Sequence, residues 1–217
     1  MAELLPDALA RICRESPDMI VCTGDVVDVP TGPGVIQDLR FCKKFFDDCG
    51  TPYIVLPGNH DPLPDDFYRV FPRPQKTMMV NRCQLISFHE DACFNGEESS
   101  RRSDQSLRVM DDLLIRANCC PEVTLLFQHY VVYPHHNNGY PHNYQNDSDI
   151  RGILERSDQT ILSICGHYHP GIPLIQENGV SYFAGRAFCE VPYTCYMINA
   201  SENGIFIKEL EMGKATQ

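Results

Sequence analysis

Several things are missing from this 217-residue sequence, and each absence excludes a class of protein. No apolar run approaches the roughly 18 residues that a membrane-spanning helix needs. The opening segment, MAELLPDALARICRES, mixes acidic and basic residues in an amphipathic pattern, so it predicts a helix and not a signal peptide. Gly (14 residues) and Pro (16 residues) are too few for a low-complexity or collagen-like chain. There is no basic excess: 18 Lys and Arg stand against 29 Asp and Glu, a net charge of −11. That balance argues against an electrostatic grip on nucleic acid or an anionic membrane. It leaves room for a phosphate-bearing substrate, because a bound cation can invert the local sign. No C-x-x-C occurs among the 11 cysteines, which removes the zinc-ribbon and thioredoxin readings. The expectation is therefore reduced thiols in a cytoplasmic protein, packed mostly as small hydrophobes.

Four short apolar runs are present: 18–23, 52–56, 123–127 and 161–165. Each is continuous and not alternating, as in strands buried on both faces of a parallel sheet. Residues 34–49 and 104–118 carry apolar side chains at spacings of three and four, which predicts helices, and 149–156 is a shorter candidate. The β-α-β order implies an α/β architecture. Toward the end, 173–183 reads as a hairpin turning at Asn178-Gly179, and 194–210 as another turning near Asn203-Gly204. Residues 133–147 are rich in Asn, His, Tyr and Pro and read as a long loop. There is no internal repeat or linker, so one domain over 1–217 is expected.

The residues at the end of each apolar run are more telling. The runs end in Gly24-Asp25-Val-Val-Asp28, in Gly58-Asn59-His60-Asp61, in His129, and in Gly166-His167-Tyr168-His169. In an open parallel sheet these residues gather at the carboxyl edge, where ligands bind. Asp, Asn and His together form a mixed oxygen and nitrogen set, suited to Mn, Fe, Zn, Ni or Co and poor for calcium. Such a site would activate water and polarise a phosphoryl oxygen, making phosphoester hydrolysis the natural reaction class.

In this order, the four motifs resemble the calcineurin-like metallophosphoesterases, over most of the chain. The resemblance implies a four-layer αββα sandwich of two mixed sheets flanked by helices. It implies one or two divalent metal ions and a small phosphorylated substrate; the charge balance and the lack of a dense basic stretch argue against a membrane or nucleic-acid partner, a nuclease included. It implies that Asp25 bridges two metals, that Asn59, His129 and His167 complete the second metal's ligands, and that His169 serves the first. His60 matches the residue that protonates the leaving group. Asp61 and Asp28 match orienting positions, although Asp61 also stands as a catalytic candidate beside His60.

One part of the family pattern is missing. The family opens with a strand ending in Asp-x-His, whereas no Asp here has a His two residues later. Two readings stay open: the sequence starts after that strand, or the protein is naturally abbreviated and uses one metal or a substitute ligand. The loop histidines His135, His136 and His142 are the available substitutes. The absent strand also predicts a gap in a sheet, filled by another segment or a second copy of the chain. It supports an alternative function as well: a non-catalytic binding or regulatory protein with a partial, mononuclear site. Arg186 is a candidate phosphate contact. His89, Cys22 and Cys165 are expected as packing residues, and Arg101-Arg102 as a solvated turn. Tyr133, Tyr140 and Tyr144 either line a pocket or pack the loop.

Overall fold

The computed structural model describes residues 4–88, 100–117 and 122–212. In chain order the elements are α1 (Leu5–Arg14), β1 (Ile20–Cys22), α2 (Val35–Asp48), β2 (Tyr53–Val55), α3 (Pro64–Phe67), β3 (Thr77–Val80), β4 (Cys83–Ser87), α4 (Asp104–Ala117), β5 (Val123–Phe127), α5 (Asp147–Leu154), β6 (Ile161–Cys165), β7 (Ile172–Glu177), β8 (Val180–Ala184), β9 (Thr194–Ser201) and β10 (Gly204–Glu211). The expected helices and both late hairpins are present; the β3–β4 hairpin and α3 were not foreseen.

Six strands form one mixed sheet in the order β3-β4-β5-β6-β8-β7. Strands β4, β5, β6 and β8 run parallel, and β3 and β7 close the edges antiparallel. The central β6 and β8 are buried at every position, which their continuous apolar runs require. Helices α4 and α5 cover one face: Met110, Leu114, Ile150 and Leu154 pack with Ile86, Leu126, Ile161 and Tyr182.

The other face meets a second layer. Ile54 and Leu56 pack there with Leu85, Phe127, Leu162, Ile164 and Phe183, joined by Tyr196, Ile198, Ile205 and Ile207. Behind that layer, α1 and α2 place Leu9, Leu39 and Phe46 against Ile20 and Val55. The order is thus helix, strand, strand, helix, a mixed α/β fold. Among the described residues the second layer consists of two ladders, parallel β1-β2 and antiparallel β9-β10, with no strand joining them. Val21 and Cys22 are half-buried and pack against the core.

The Arg101-Arg102 expectation needs correction. Arg101 is exposed, but Arg102 is fully buried. Its guanidinium lies 3.9 Å from the Phe88 ring centroid and 4.8 Å from that of Tyr144. It donates to Met110 Sδ and to the Tyr144 hydroxyl, each at 3.2 Å. Asn146 grips its backbone at both ends, accepting from the N–H and donating to the carbonyl at 3.0 Å. A planar, weakly hydrated guanidinium tolerates this aromatic setting, which a composition-based reading cannot foresee. Cys165 packs as expected, and burial pushes its thiol up to about 12. His89 lies outside the described residues. No helix among the described residues is long and apolar enough to cross a membrane.

Candidate metal centre

Strands β1, β2, β5 and β6 end at one edge, and the turns beyond them are packed to their steric limit. Gly24 has φ +109°, and a Cβ there would sit 2.7 Å from the Gly58 nitrogen and from His129 Nδ1. A Cβ on Gly58 would collide with the Asp25 carboxylate and the His129 ring. Only glycine permits this approach. Asp25 (φ 57°) and His167 (φ 60°) adopt the left-handed conformation without that freedom. Such strain persists where the surrounding structure enforces it, commonly at functional sites.

Four side chains converge there. His129 Nδ1 donates to the Thr23 carbonyl at 2.7 Å, so Nε2 is left as a bare lone pair in the neutral ring. That Nε2 lies 2.9 Å from Asn59 Oδ1, 3.1 Å from His167 Nδ1 and 3.3 Å from Asp25 Oδ2. His129 is 3 % exposed. Lone pairs brought this close in a buried setting require a cation between or on them. Ligands held about 2.1 Å from a shared ion lie roughly 3.0–3.4 Å from one another, close to the 2.9–3.3 Å that separate His129 Nε2 from the other three donors. Asp25, His129 and His167 also satisfy mutual ligand-atom distances within 4.8 Å. The residues therefore fit a transition-metal dication.

The surrounding charges and burial set the protonation of these groups. Burial opposes charge on Asp25, yet the neighbouring His129 and the His60 N–H hold its carboxyl down at about 2. Burial would lower His129, but the Asp25 charge and the Thr23 carbonyl hold it above its usual range. Burial, together with the charge of His129, pushes His167 down to about 3, so it presents a neutral imidazole. Burial pushes Asp61 up to about 7 against the pull of the backbone N–H groups around it.

The remaining sequence candidates take varied places. Asp61 faces backbone and not the opening: it accepts from Val26 N at 2.9 Å, Val27 N at 3.1 Å and Gly58 N at 2.9 Å, tying the turn after β1 to the turn after β2. His60 donates its N–H to Asp25 Oδ1 at 2.9 Å, and its Nδ1 lies 2.8 Å from the carbonyl of Asp28. Asp28 thus contributes its main chain. His169 stays outside the four-donor cluster and pairs with Glu190 at 2.7 Å. Among the loop histidines, His136 stacks on Tyr168 with centroids 4.2 Å apart, and His142 lies 4.8 Å from Tyr168 and 5.7 Å from His167. His135 is engaged by Asp147 at 2.5 Å. Arg186 lies 3.8 Å from Glu209. Tyr133 packs against Tyr182 and Tyr144 against Tyr130, while Tyr140 borders His167.

Three participants escaped sequence reasoning. Thr23 acts through a backbone carbonyl, which has no residue-type signature. Glu190 meets His169 across 21 residues of chain, with no fixed spacing to betray it. Tyr168 lies between two motif histidines, and nothing in the motif announces its ring contacts with His136 and His142.

Among known proteins, the sequence model of the calcineurin-like phosphoesterases matches residues 2–171. The chain is 28% identical over 201 residues to a protein of Coxiella burnetii described as a probable cyclic nucleotide phosphodiesterase, covering 88% of this chain and 73% of that one. Its fold resembles a dimetal phosphatase from Danio rerio, with a TM-score of 0.78 at 17% identity, over 97% of this chain and 86% of that one. It also resembles GAP50 of Plasmodium, described as an anchor in the inner membrane complex, with a TM-score of 0.64 at 12% identity, over 100% of this chain and 82% of that one.

Proposed function

The chain belongs to the calcineurin-like phosphoesterase family, and from that premise we propose that it hydrolyses small phosphoesters with a divalent cation held by Asp25, Asn59, His129 and His167. The observation that carries this reading is the convergence of Asn59 Oδ1, His167 Nδ1 and Asp25 Oδ2 around the lone pair of His129 Nε2. When bound, such a cation supplies Lewis acidity, polarising a phosphoryl oxygen and lowering the pKa of coordinated water to about 7.

The chain's own residues do the rest. Asp25 offers one carboxylate oxygen to the cluster while the His60 N–H fixes the other. His60, its Nδ1–H held by the Asp28 carbonyl, can give a proton from Nε2 to the departing oxygen when the ring carries both protons, returning to the neutral Nδ1–H form. Asp61 holds both turns in register and is a positioning residue in this scheme. Manganese, iron, zinc, nickel and cobalt all suit the donor set.

The description of the Coxiella burnetii relative makes a phosphodiester the first substrate to try. The test is hydrolysis of bis(p-nitrophenyl) phosphate and p-nitrophenyl phosphate after loading with each of the five metals. Turnover that a chelator abolishes and that metal restores is expected. Folded protein inert with all five would sink the reading.

A second reading draws on the position of His169 outside the cluster: a binding module with a single cation. The fold does not decide between them, because one fold carries unrelated functions. Metal-loaded protein that binds phosphate esters without turning them over would favour it. In either reading, the edge of β1 that pairs with no strand among the described residues is a place for another segment or a second copy to pair. A sedimentation experiment that gives only monomer at high concentration would remove the second copy.

A further inference from the structure

The contact between His169 and Glu190 is not used by the four-donor cluster. Glu190 lies in the loop between β8 and β9, with its Oε1 2.7 Å from His169 Nδ1. That loop is fastened to the turn carrying His169. The Ala187 N–H donates to the His169 carbonyl at 3.0 Å, and the Glu190 N–H to the Ala187 carbonyl at 3.2 Å. Gly171 closes the same junction at φ +74°, where a Cβ would sit 2.8 Å from Arg186 Cγ and 3.1 Å from the Ala184 carbonyl. The carboxylate is therefore delivered by two stitched turns. His169 follows His167 of the cluster by two residues, so the loop fastened to it lies beside the cluster.

As a stability device the pair does little. His169 and Glu190 side chains are 49% and 58% exposed, and an exposed ion pair contributes about 0–1 kcal/mol. As an orienting device it is effective. A histidine whose Nδ1–H is held by a carboxylate has a fixed tautomer, a fixed ring plane and a more basic Nε2.

We propose that Glu190 is a positioning residue, holding His169 so that its Nε2 serves as a donor to a second, weaker divalent cation beside Asp25. The proposal rests on the metal reading of the four-donor cluster and adds a carboxylate that the sequence motifs do not contain.

Calorimetric titration of the metal-free protein with manganese tests it. Two events are expected, a tight one and a weaker one. Glu190→Ala should weaken the second by about 10–100-fold, as losing an outer partner of a metal-bound histidine does, and leave the first within about two-fold. Glu190→Gln keeps an acceptor oxygen and should recover most of the loss, while His169→Ala should abolish the second event. A tight event alone in the unmodified protein overturns the role of Glu190 and leaves the cluster standing. So does a second event that Glu190→Ala does not change, or an equal weakening of both events. Absence of any event in folded protein overturns the cluster itself.

Discussion

His129 presents Nε2 to its neighbours because the Thr23 carbonyl holds its Nδ1 proton at 2.7 Å. Every other ligand atom then faces that nitrogen. His129→Ala should therefore cost more metal affinity than the roughly 10–100-fold that losing an outer partner costs, and should abolish turnover; calorimetry and an aryl phosphate assay would show it. The histidine itself was legible in the sequence, since it follows a buried apolar run without interruption. Its partner was not, because a backbone carbonyl can belong to any residue. Arg102 shows the opposite failure, in which residue type misled. Two adjacent arginines suggest a solvated turn, yet one is wrapped by Phe88 and Tyr144. Arg102→Ala would leave a cavity and remove those contacts, lowering stability by about 2–4 kcal/mol in urea denaturation.

The turns after β1 and β2 act as one element. Asp61 bonds three backbone N–H groups across them, and Gly24 and Gly58 allow them to touch. Gly58→Ala should destabilise the protein by about 1–3 kcal/mol, as overpacking does, and weaken metal binding more than stability alone explains, because its Cβ meets the Asp25 carboxylate. Denaturation and metal titration of the same variant separate the two effects. Strands β1, β2, β5 and β6 were readable because their apolar runs are unbroken, the mark of strands covered on both faces. The β3–β4 hairpin was not. Its turn, Asn81-Arg82, puts Asn81 in the left-handed conformation at φ 53° with no glycine to announce it, and β4 buries a polar Gln84 that reaches Thr77 Oγ1 at 3.1 Å and Thr124 Oγ1 at 3.3 Å. Partnered polar groups of this kind interrupt the pattern without weakening the strand.

Across the whole molecule, the metal centre joins both strand layers: Asp25 and Asn59 come from the β1-β2 ladder, His129 and His167 from the six-stranded sheet. A bound cation should therefore stabilise the entire fold. At a hundred times its Kd it adds about 2.7 kcal/mol, or roughly 5–10 °C in Tm for a chain of this size. The gain should reverse with chelator and shrink as the pH falls through the raised pKa of His129, where a proton competes with the cation for Nε2, whereas His167, held near 3, competes only in strong acid. Thermal scans at two pH values with and without metal check this. The layered α/β architecture was legible from motif order and element type. The division of the second layer into two ladders was not, because apolar runs announce strands without naming their neighbours.

Anomalous diffraction from crystals soaked in zinc, recorded at the zinc edge, decides most directly whether a cation sits where the four donors meet. The metal reading predicts a peak about 2.0–2.2 Å from His129 Nε2, Asn59 Oδ1, His167 Nδ1 and Asp25 Oδ2. Zinc bound elsewhere on the molecule, with no peak among these four atoms, would contradict it.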